Sequence, residues 1–264
     1  MKVRILGSAS GVPMPGRYNE SVLVRVGEAS YLFDAGEPCA ATIHNSDVSM
    51  YSIKAVFISH TDADHIGGLP MLLQVAWLWQ SRGPEFRFKP DNSLKLYMPS
   101  EAIPAFRQFL GAMRLPQRRM PYKLDLLPVR EGATCRDETA TVSAQMTTHL
   151  TGHTVLDDEG KPCSQQAYSF VLEAEGKKVV YSGDIGAPSD IVNLCDRTDL
   201  LIVECAHFPA EKLFAALPLE KIKRVIVNHI HPSWCDDENK ILGALKDSRG
   251  CEVLVARDNM EVEV

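Results

Sequence analysis

Paired cysteines are absent from this chain. Seven cysteines are scattered through its 264 residues, and no two of them stand in a CxxC pair. An odd number without paired spacing argues against a disulfide framework and against a zinc site built from cysteines. We therefore expect reduced and mostly buried thiols.

Long apolar runs are also missing. No stretch approaches the roughly 20 apolar residues that span a bilayer, and the apolar run after Met1 is too short for a secretory signal. We expect no membrane partner and a cytoplasmic protein. With 45% apolar and 23% charged residues, the composition is that of an ordinary globular protein.

Positive charge is not in excess, because 28 Lys and Arg stand against 34 Asp and Glu and leave a net charge of −6. This excludes a broad electrostatic footprint for nucleic acid. One local basic cluster, in RLPQRRMPYK, contains Arg114, Arg118, Arg119 and Lys123. A solvated loop is its simplest interpretation, and a local RNA contact is the alternative.

Short apolar runs alternate with helical patterns along the whole chain. Strands are predicted for KVRILG, SVLVRVG, SYLFDAGE, KAVFISH, LKLYMP, KLDLLPV, TATVSAQMTTH, YSFVLEAEGKKVVYSGD, DLLIVEC, LEKIKRVIVNHIH and CEVLVA. Helices are predicted for GGLPMLLQVAWLWQSRG, SEAIPAFRQFLGAMR with Ser100 as N-cap, and NKILGALKDS. Without a linker or a repeat, the pattern predicts one α/β domain over residues 1–264. We expect an αββα four-layer sandwich, two packed β-sheets with helices outside.

Histidines and aspartates gather where the apolar runs end. The hexad HTDADH follows KAVFIS, and later donors follow VSAQMTT, VVYSG and RVIVN; the full set is His60, Asp62, Asp64, His65, His149, Asp184 and His229. Imidazole and carboxylate suit zinc, iron and manganese, and seven donors are enough for two ions. A structural role is the simpler explanation for any one of these histidines, but the joint pattern favours a metal site.

HTDADHIGG resembles the HxHxDH signature of the metallo-β-lactamase superfamily. Within it, LGSASGVP, YLFDAGE, VVYSGD, DLLIVECAHF and RVIVNHIHP are similar in order and form to the ribonuclease Z branch over nearly the whole chain. The resemblance implies phosphodiester hydrolysis by a metal-bridging hydroxide. It also implies a cofactor of two divalent ions, zinc first, with manganese or iron as alternatives.

The resemblance assigns ligands to each ion. His60, Asp62 and His149 would bind one ion, Asp64, His65 and His229 the other, and Asp184 would bridge them. Asp64 would also orient the nucleophile. His153 in HLTGH is the alternative to His149, and His231 in NHIHP the alternative to His229. Asp34 in FDAGE is either a supporting carboxylate near the site or a turn residue.

A second pair of catalytic residues follows from the same resemblance. Glu204 matches a glutamate that assists the leaving group together with a histidine in an HST sequence, and no HST occurs here. His207 is the candidate replacement, and a structural role is its alternative.

Two departures bear on the substrate. The early PxKxR element appears as PMPGR, so Pro15 stands where lysine is expected and only Arg17 remains. No long glycine- and proline-rich arm is evident in residues 184–230. We therefore expect a small phosphodiester, such as a cyclic nucleotide or nucleotide-like ester, with RNA as an alternative and transfer RNA disfavoured. The resemblance also suggests a homodimer.

Asp62 stands where the signature has histidine, which adds one negative charge to the ligand set. Oxygen-rich ligation shifts preference toward harder ions such as manganese, so we expect the site to tolerate manganese better than the usual ligand set does. Two other functions compete with phosphodiester hydrolysis. One is a weakly active or non-catalytic metal-binding ligand sensor, and the other is hydrolysis of a lactone, thioester or lactam.

Overall fold

The computed structural model describes residues 1–152, 154–234 and 237–264. Within these ranges the strands are β1 (Lys2–Gly7), β2 (Ser21–Val26), β3 (Ala29–Phe33), β4 (Ile53–Phe57), β5 (Ser93–Met98), β6 (Lys123–Pro128), β7 (Gly132–Arg136), β8 (Thr141–Met146), β9 (Tyr168–Ala174), β10 (Lys177–Tyr181), β11 (Thr198–Cys205), β12 (Ile222–Ile230), β13 (Glu252–Val255) and β14 (Glu261–Glu263). They form two seven-stranded sheets, in the orders β14-β1-β2-β3-β4-β5-β6 and β13-β12-β11-β10-β9-β8-β7.

Helices cover the outer face of each sheet. They are α1 (Cys39–His44), α2 (Ala63–Ile66), α3 (Leu69–Gln80), α4 (Ile103–Ala112), α5 (Ala210–Ala216) and α6 (Glu238–Gly243). In α3 the buried side chains Leu69, Leu72, Leu73 and Ala76 recur at helical spacing and face the first sheet. No described helix has the length and apolar content needed to cross a bilayer.

Apolar side chains from the inner faces of both sheets form the central core. Phe33 stacks on Phe57 with ring centroids 5.2 Å apart, and both rings contact Phe170 of the facing sheet. Helices, two sheets and helices therefore lie in four layers, which confirms the predicted αββα sandwich. Lys2 in β1 pairs with Glu263 in β14, so the first and last strands lie in the same sheet. The single domain over residues 1–264 stays a prediction.

Several short elements differ from the sequence prediction. Ser100 does not cap α4; its backbone N–H and hydroxyl donate to Gln166 Oε1, and a 3₁₀ turn over Ser100–Ala102 precedes the helix. The last predicted helix ends at Gly243 rather than continuing to Ser248. The sequence pattern does not predict α1, α2, α5, β7 or β14, because short segments carry little periodicity and are fixed by packing.

One edge of the sandwich collects the polar loops. β3, β4 and β5 run parallel, as do β10, β11 and β12, and β8 has the direction of β10 because each is antiparallel to β9. The carboxyl ends of these strands therefore meet at one edge, where the following loops face each other.

Candidate metal centre

Asp184 lies between two groups of side chains at this edge. Its Oδ2 is 3.7 Å from His60 Nε2 and 3.6 Å from His149 Nε2. Its Oδ1 is 3.4 Å from His65 Nε2 and 3.5 Å from His229 Nδ1. One carboxylate therefore turns one oxygen toward each pair of histidines.

Asp64 completes the second group. Its Oδ2 lies 3.4 Å from His65 Nε2 and 3.2 Å from His229 Nε2. The two groups, which we call the His60 group (His60, His149 and Asp184) and the His65 group (Asp64, His65 and His229), each have their donor atoms within 4.8 Å of one another. Residues from four separate segments of the chain thus meet in these two groups. Among the described residues a third group of the same spatial size joins Asp184 and His229 to Glu204 and His207.

The donor set fits divalent metal ions. Among the described residues, His60 Nε2, Asp184 Oδ1 and His229 Nδ1 are buried without a hydrogen-bond partner. Buried polar atoms are rarely left unsatisfied, because each costs a desolvation penalty. A cation on each side of Asp184 would engage His60 Nε2 and Asp184 Oδ1.

The pKa shifts in the metal-free chain also indicate that positive charge is favoured at this site. Burial opposes protonation of His229, yet Asp184 and Asp64 raise the pKa of this imidazole to about 9. Burial likewise opposes the charge on Asp64, but hydrogen bonds with His229 and His65 hold the pKa of this carboxyl below its ordinary value. In the metal-free chain, protons on the histidines therefore supply the positive charge that metal ions would otherwise supply.

Asp62 lies at the rim of the His60 group. Its carboxylate is 3.5 Å from His60 Nε2 and 4.0 Å from His149 Nε2, and 56% of its side chain is exposed. Contacts with these two histidines lower the pKa of the Asp62 carboxyl. The unusual carboxylate therefore faces both the first cluster and solvent.

Asp34 supports the centre from behind. It is fully buried and accepts hydrogen bonds from the Ser59 N–H and hydroxyl, from His65 Nδ1 and from the Tyr181 hydroxyl, at 2.6–2.7 Å. Such a bond to Nδ1 leaves His65 Nε2 as the metal-facing nitrogen. Of the two interpretations of Asp34, the structure favours the supporting carboxylate.

Local backbone geometry distinguishes between the two alternative ligands His229 and His231. His229 sits in a bulge of β12, where Glu204 pairs with Asn228 and Cys205 with Ile230, and its φ of 47° is left-handed. His231 is exposed and its Nδ1 accepts from the Ser233 N–H. The structure therefore places His229 in the cluster. His153, the alternative to His149, lies outside the described residues.

Glu204 and His207 form a pair beside Asp184. Buried Glu204 accepts from the N–H groups of Ile185, Ala206 and His207, and its Oε2 is 2.9 Å from His207 Nδ1. The hydrogen bond to Glu204 raises the pKa of His207, whose side chain is 40% exposed and 3.9 Å from Asp184 Oδ2. An imidazole that tends to stay protonated thus borders the cluster.

Two of the supporting residues were not singled out from the sequence. Ser59 and Tyr181 each bond Asp34, and the Ser59 hydroxyl also lies 3.0 Å from His60 Nδ1. Their nearness in sequence to predicted ligands could have pointed to them, because Ser59 precedes His60 and Tyr181 lies three residues before Asp184.

Two of the basic residues considered from the sequence make contacts within the chain. Arg17 is buried and donates to Ser8 Oγ and to the Ala256 carbonyl. Arg119 lies over the Trp77 ring, 4.8 Å from its centroid, and donates to the Arg114 carbonyl. Arg17 therefore ties its loop to Ser8 and Ala256.

An αββα sandwich with histidine and aspartate clusters at one edge defines a metal-dependent hydrolase of the metallo-β-lactamase fold. The family model described as "Anti-Pycsar protein Apyc1" matches residues 1–218. The chain belongs to this family.

Curated relatives carry the name ribonuclease Z. The protein from Macrococcus caseolyticus is 22% identical and is aligned over the full length of both chains. The protein from Treponema pallidum strain Nichols is 46% identical over 99 residues, 38% of this chain and 32% of its own. The expected ribonuclease Z-like relationship is thereby confirmed.

Solved structures share the fold at low identity. YhfI from Bacillus subtilis, a metallo-β-lactamase fold protein, superposes with a TM-score of 0.78 at 17% identity, over 99% of this chain and 98% of its own. The short form of human tRNase Z has a TM-score of 0.72 at 20% identity, over 100% and 99%. A diphosphatase of the PhnP family has a TM-score of 0.68 at 15% identity, over 100% and 97%.

Proposed function

We propose that this protein hydrolyses small phosphodiesters of the nucleotide kind, such as cyclic nucleotides. The observation that carries the proposal is Asp184, whose two oxygens face two separate groups of histidines. That arrangement suits two cations, one on each side of a shared carboxylate. The names of the ribonuclease Z and PhnP-family relatives support the phosphodiesterase type of hydrolase over a ligand sensor.

The ligand assignment follows the two groups. His60, His149 and Asp62 would hold one ion, Asp64, His65 and His229 the other, with Asp184 shared. When bound, two divalent ions supply an activated water and neutralise charge on the phosphate oxygens. Zinc is the first expectation, and the carboxylate of Asp62 also suits manganese or iron.

The residues around the cluster supply orientation and a proton. Asp64 lies between His65 and His229, where it would orient the attacking water as well as bind metal. His207, kept protonated by Glu204, would donate a proton to the departing oxygen. This pair takes the part that the absent HST histidine would otherwise fill.

Charge favours a small substrate over a long polyanion. The chain has a net charge of −6, Arg17 is buried, and exposed Asp62 adds negative charge to the rim. A protein that grips several phosphates needs Lys or Arg at each of them. RNA is therefore the alternative substrate, to be compared in the same assay.

A substrate screen tests the proposal. Protein purified without added metal is analysed for its elements, stripped with chelator and reloaded with zinc, manganese or iron. Turnover of cyclic nucleotides, RNA oligonucleotides, bis(p-nitrophenyl) phosphate and a lactone is then measured. We expect metal-restored turnover of cyclic nucleotides, and an Asp184→Asn variant that stays inactive after reloading.

Two other results would contradict the proposal. Ligand binding without turnover under every metal would favour the sensor, and turnover of the lactone alone would favour carbonyl hydrolysis. A homodimer and a cytoplasmic location stay predictions from the sequence, and light scattering would test the former.

A further inference from the structure

Asp190 joins the two loops that carry His149 and Asp184. Its Oδ2 accepts hydrogen bonds from the Thr148 N–H at 2.8 Å, from the Thr148 hydroxyl at 2.9 Å and from the Gly186 N–H at 3.0 Å. Thr148 immediately precedes His149, and Gly186 lies two residues after Asp184. One carboxylate thus bonds both loops of the His60 group.

The two loops are in direct contact at this point. A Cβ atom on Gly186 would lie 2.4 Å from Thr148 Oγ1 and 2.7 Å from the Thr148 carbonyl carbon and oxygen. The Thr147 hydroxyl donates to the Asp184 carbonyl at 2.9 Å. A glycine is therefore needed for the loops to approach, and Asp190 bonds both of them where they meet.

Asp190 itself is held in place by its own segment. It belongs to a 3₁₀ helix over Pro188–Leu194, its N–H donates to the Ala187 carbonyl, and its carbonyl accepts from Gln145 Nε2. Gln145 is in β8, the strand that leads to His149. The carboxylate therefore acts from a fixed position relative to both loops.

We propose that Asp190 is a positioning residue that sets His149 beside Asp184 so that the His60 group can hold its ion; this inference rests on the proposed two-metal function. Asp190 belongs to neither cluster, so it acts through Thr148 and Gly186. Hydrogen bonds to a carboxylate are stronger than neutral ones, which suits an acceptor that must fix a loop. Supporting groups around metal ligands typically change metal affinity by about 10–100-fold.

Removing the carboxylate should weaken one ion selectively. In Asp190→Ala the Thr148 and Gly186 N–H groups lose their acceptor, and the loop carrying His149 is released. We expect the ion of the His60 group to bind about 10–100-fold more weakly, and the ion of the His65 group to keep its affinity within about twofold. In Asp190→Asn the amide oxygen still accepts from both N–H groups, so affinity should return to within about threefold of the natural chain.

Stepwise zinc affinities, measured by competition with a chromophoric chelator, provide the readout. His149→Ala identifies which step belongs to the His60 group. Asp137→Ala is the matched control, because Asp137 also accepts two backbone N–H bonds, from Thr139 and Ala140, and one hydroxyl bond, from Tyr31, without belonging to either cluster. It should leave both steps unchanged. If Asp190→Ala does not fold, Asp190→Glu, whose longer side chain displaces the loops, is measured in its place with the same expected weakening.

Equal zinc affinities in the natural chain and in the Asp190→Ala or Asp190→Glu variant would overturn the inference. A loss of similar size in Asp137→Ala would also overturn it, because the effect would then be general destabilisation. A natural chain that binds no metal, or that binds two ions without hydrolysing any diester, would instead contradict the proposed function. The two failures are therefore distinguishable.

Discussion

Replacing Asp34 with asparagine tests how the metal-facing nitrogen of His65 is selected. Asp34 has a left-handed φ of 54°, a conformation that asparagine tolerates as well as aspartate does. The substitution therefore keeps the backbone and the side-chain volume. It replaces one accepting oxygen by a donating NH₂ group.

The surrounding donors cannot all accommodate that change. Asp34 Oδ2 faces His65 Nδ1 and the hydroxyls of Ser59 and Tyr181, and Oδ1 faces the Ser59 N–H. If the amide nitrogen faces His65, Nδ1 must accept and the ring proton moves to Nε2, which then cannot bind metal. If it faces the Ser59 N–H, two donors oppose each other. Either orientation removes one hydrogen bond, and the neutral amide no longer gives the remaining bonds the strength of bonds to a charged acceptor.

The size of the effect follows from these bonds. A hydrogen bond to a charged group contributes about 1.5–3 kcal/mol, so the free energy of unfolding of the metal-free protein should fall by about 2–3 kcal/mol. Affinity for the ion of the His65 group should fall about 10–100-fold, or about 1.4–2.8 kcal/mol. Urea unfolding and chelator competition measure the two quantities.

Tyr181→Phe is the control, because it removes one of the four donors and leaves the carboxylate in place. It should cost about 1 kcal/mol of stability and leave zinc affinity within about twofold. Unchanged zinc affinity in Asp34→Asn would refute the reasoning, as would an equal loss of affinity in Tyr181→Phe.

Three further predictions concern the rim, the proton donor and the metal-free state. Asp62→His removes a rim carboxylate, so the ratio of zinc-supported to manganese-supported kcat/KM should rise about three- to tenfold, and an unchanged ratio would count against the expected manganese tolerance. His207→Ala should lower turnover of a cyclic nucleotide about 100-fold but that of bis(p-nitrophenyl) phosphate less than about fivefold, because p-nitrophenolate leaves without a proton; equal losses would exclude the proton-donor role. Because the pKa of His229 is raised from 6.5 to about 9, zinc loading at pH 7 should release a proton from this residue, and the release should decline as the pH rises through about 9. Calorimetry in buffers of different ionisation enthalpy measures it, and a pH-independent release would contradict the assignment. The metal-free protein should also lose the stability contributed by this raised pKa between pH 6.5 and about 9.

Local stretches of sequence are enough to predict most of the strands and to nominate the candidate donor residues. Apolar runs such as KAVFIS and RVIVN need no partner to be recognised, since their length and composition predict buried strands. The hexad HTDADH is local in the chain, and Asp62 immediately precedes α2, which carries Asp64 and His65. Residues so near in sequence are held together by a single turn of backbone.

Only the packed fold shows which distant residues lie beside the hexad. His229 was separated from His231 by a bulge that depends on the parallel register of β11 and β12. Asp34 became a supporting carboxylate because β3 ends beside β4 and faces Tyr181 across the sandwich. Asp190 carried no motif, and it was revealed by its bonds to two loops. Such contacts depend on strand register and loop approach, which are set by the packing of the whole sandwich and not by any local run of residues.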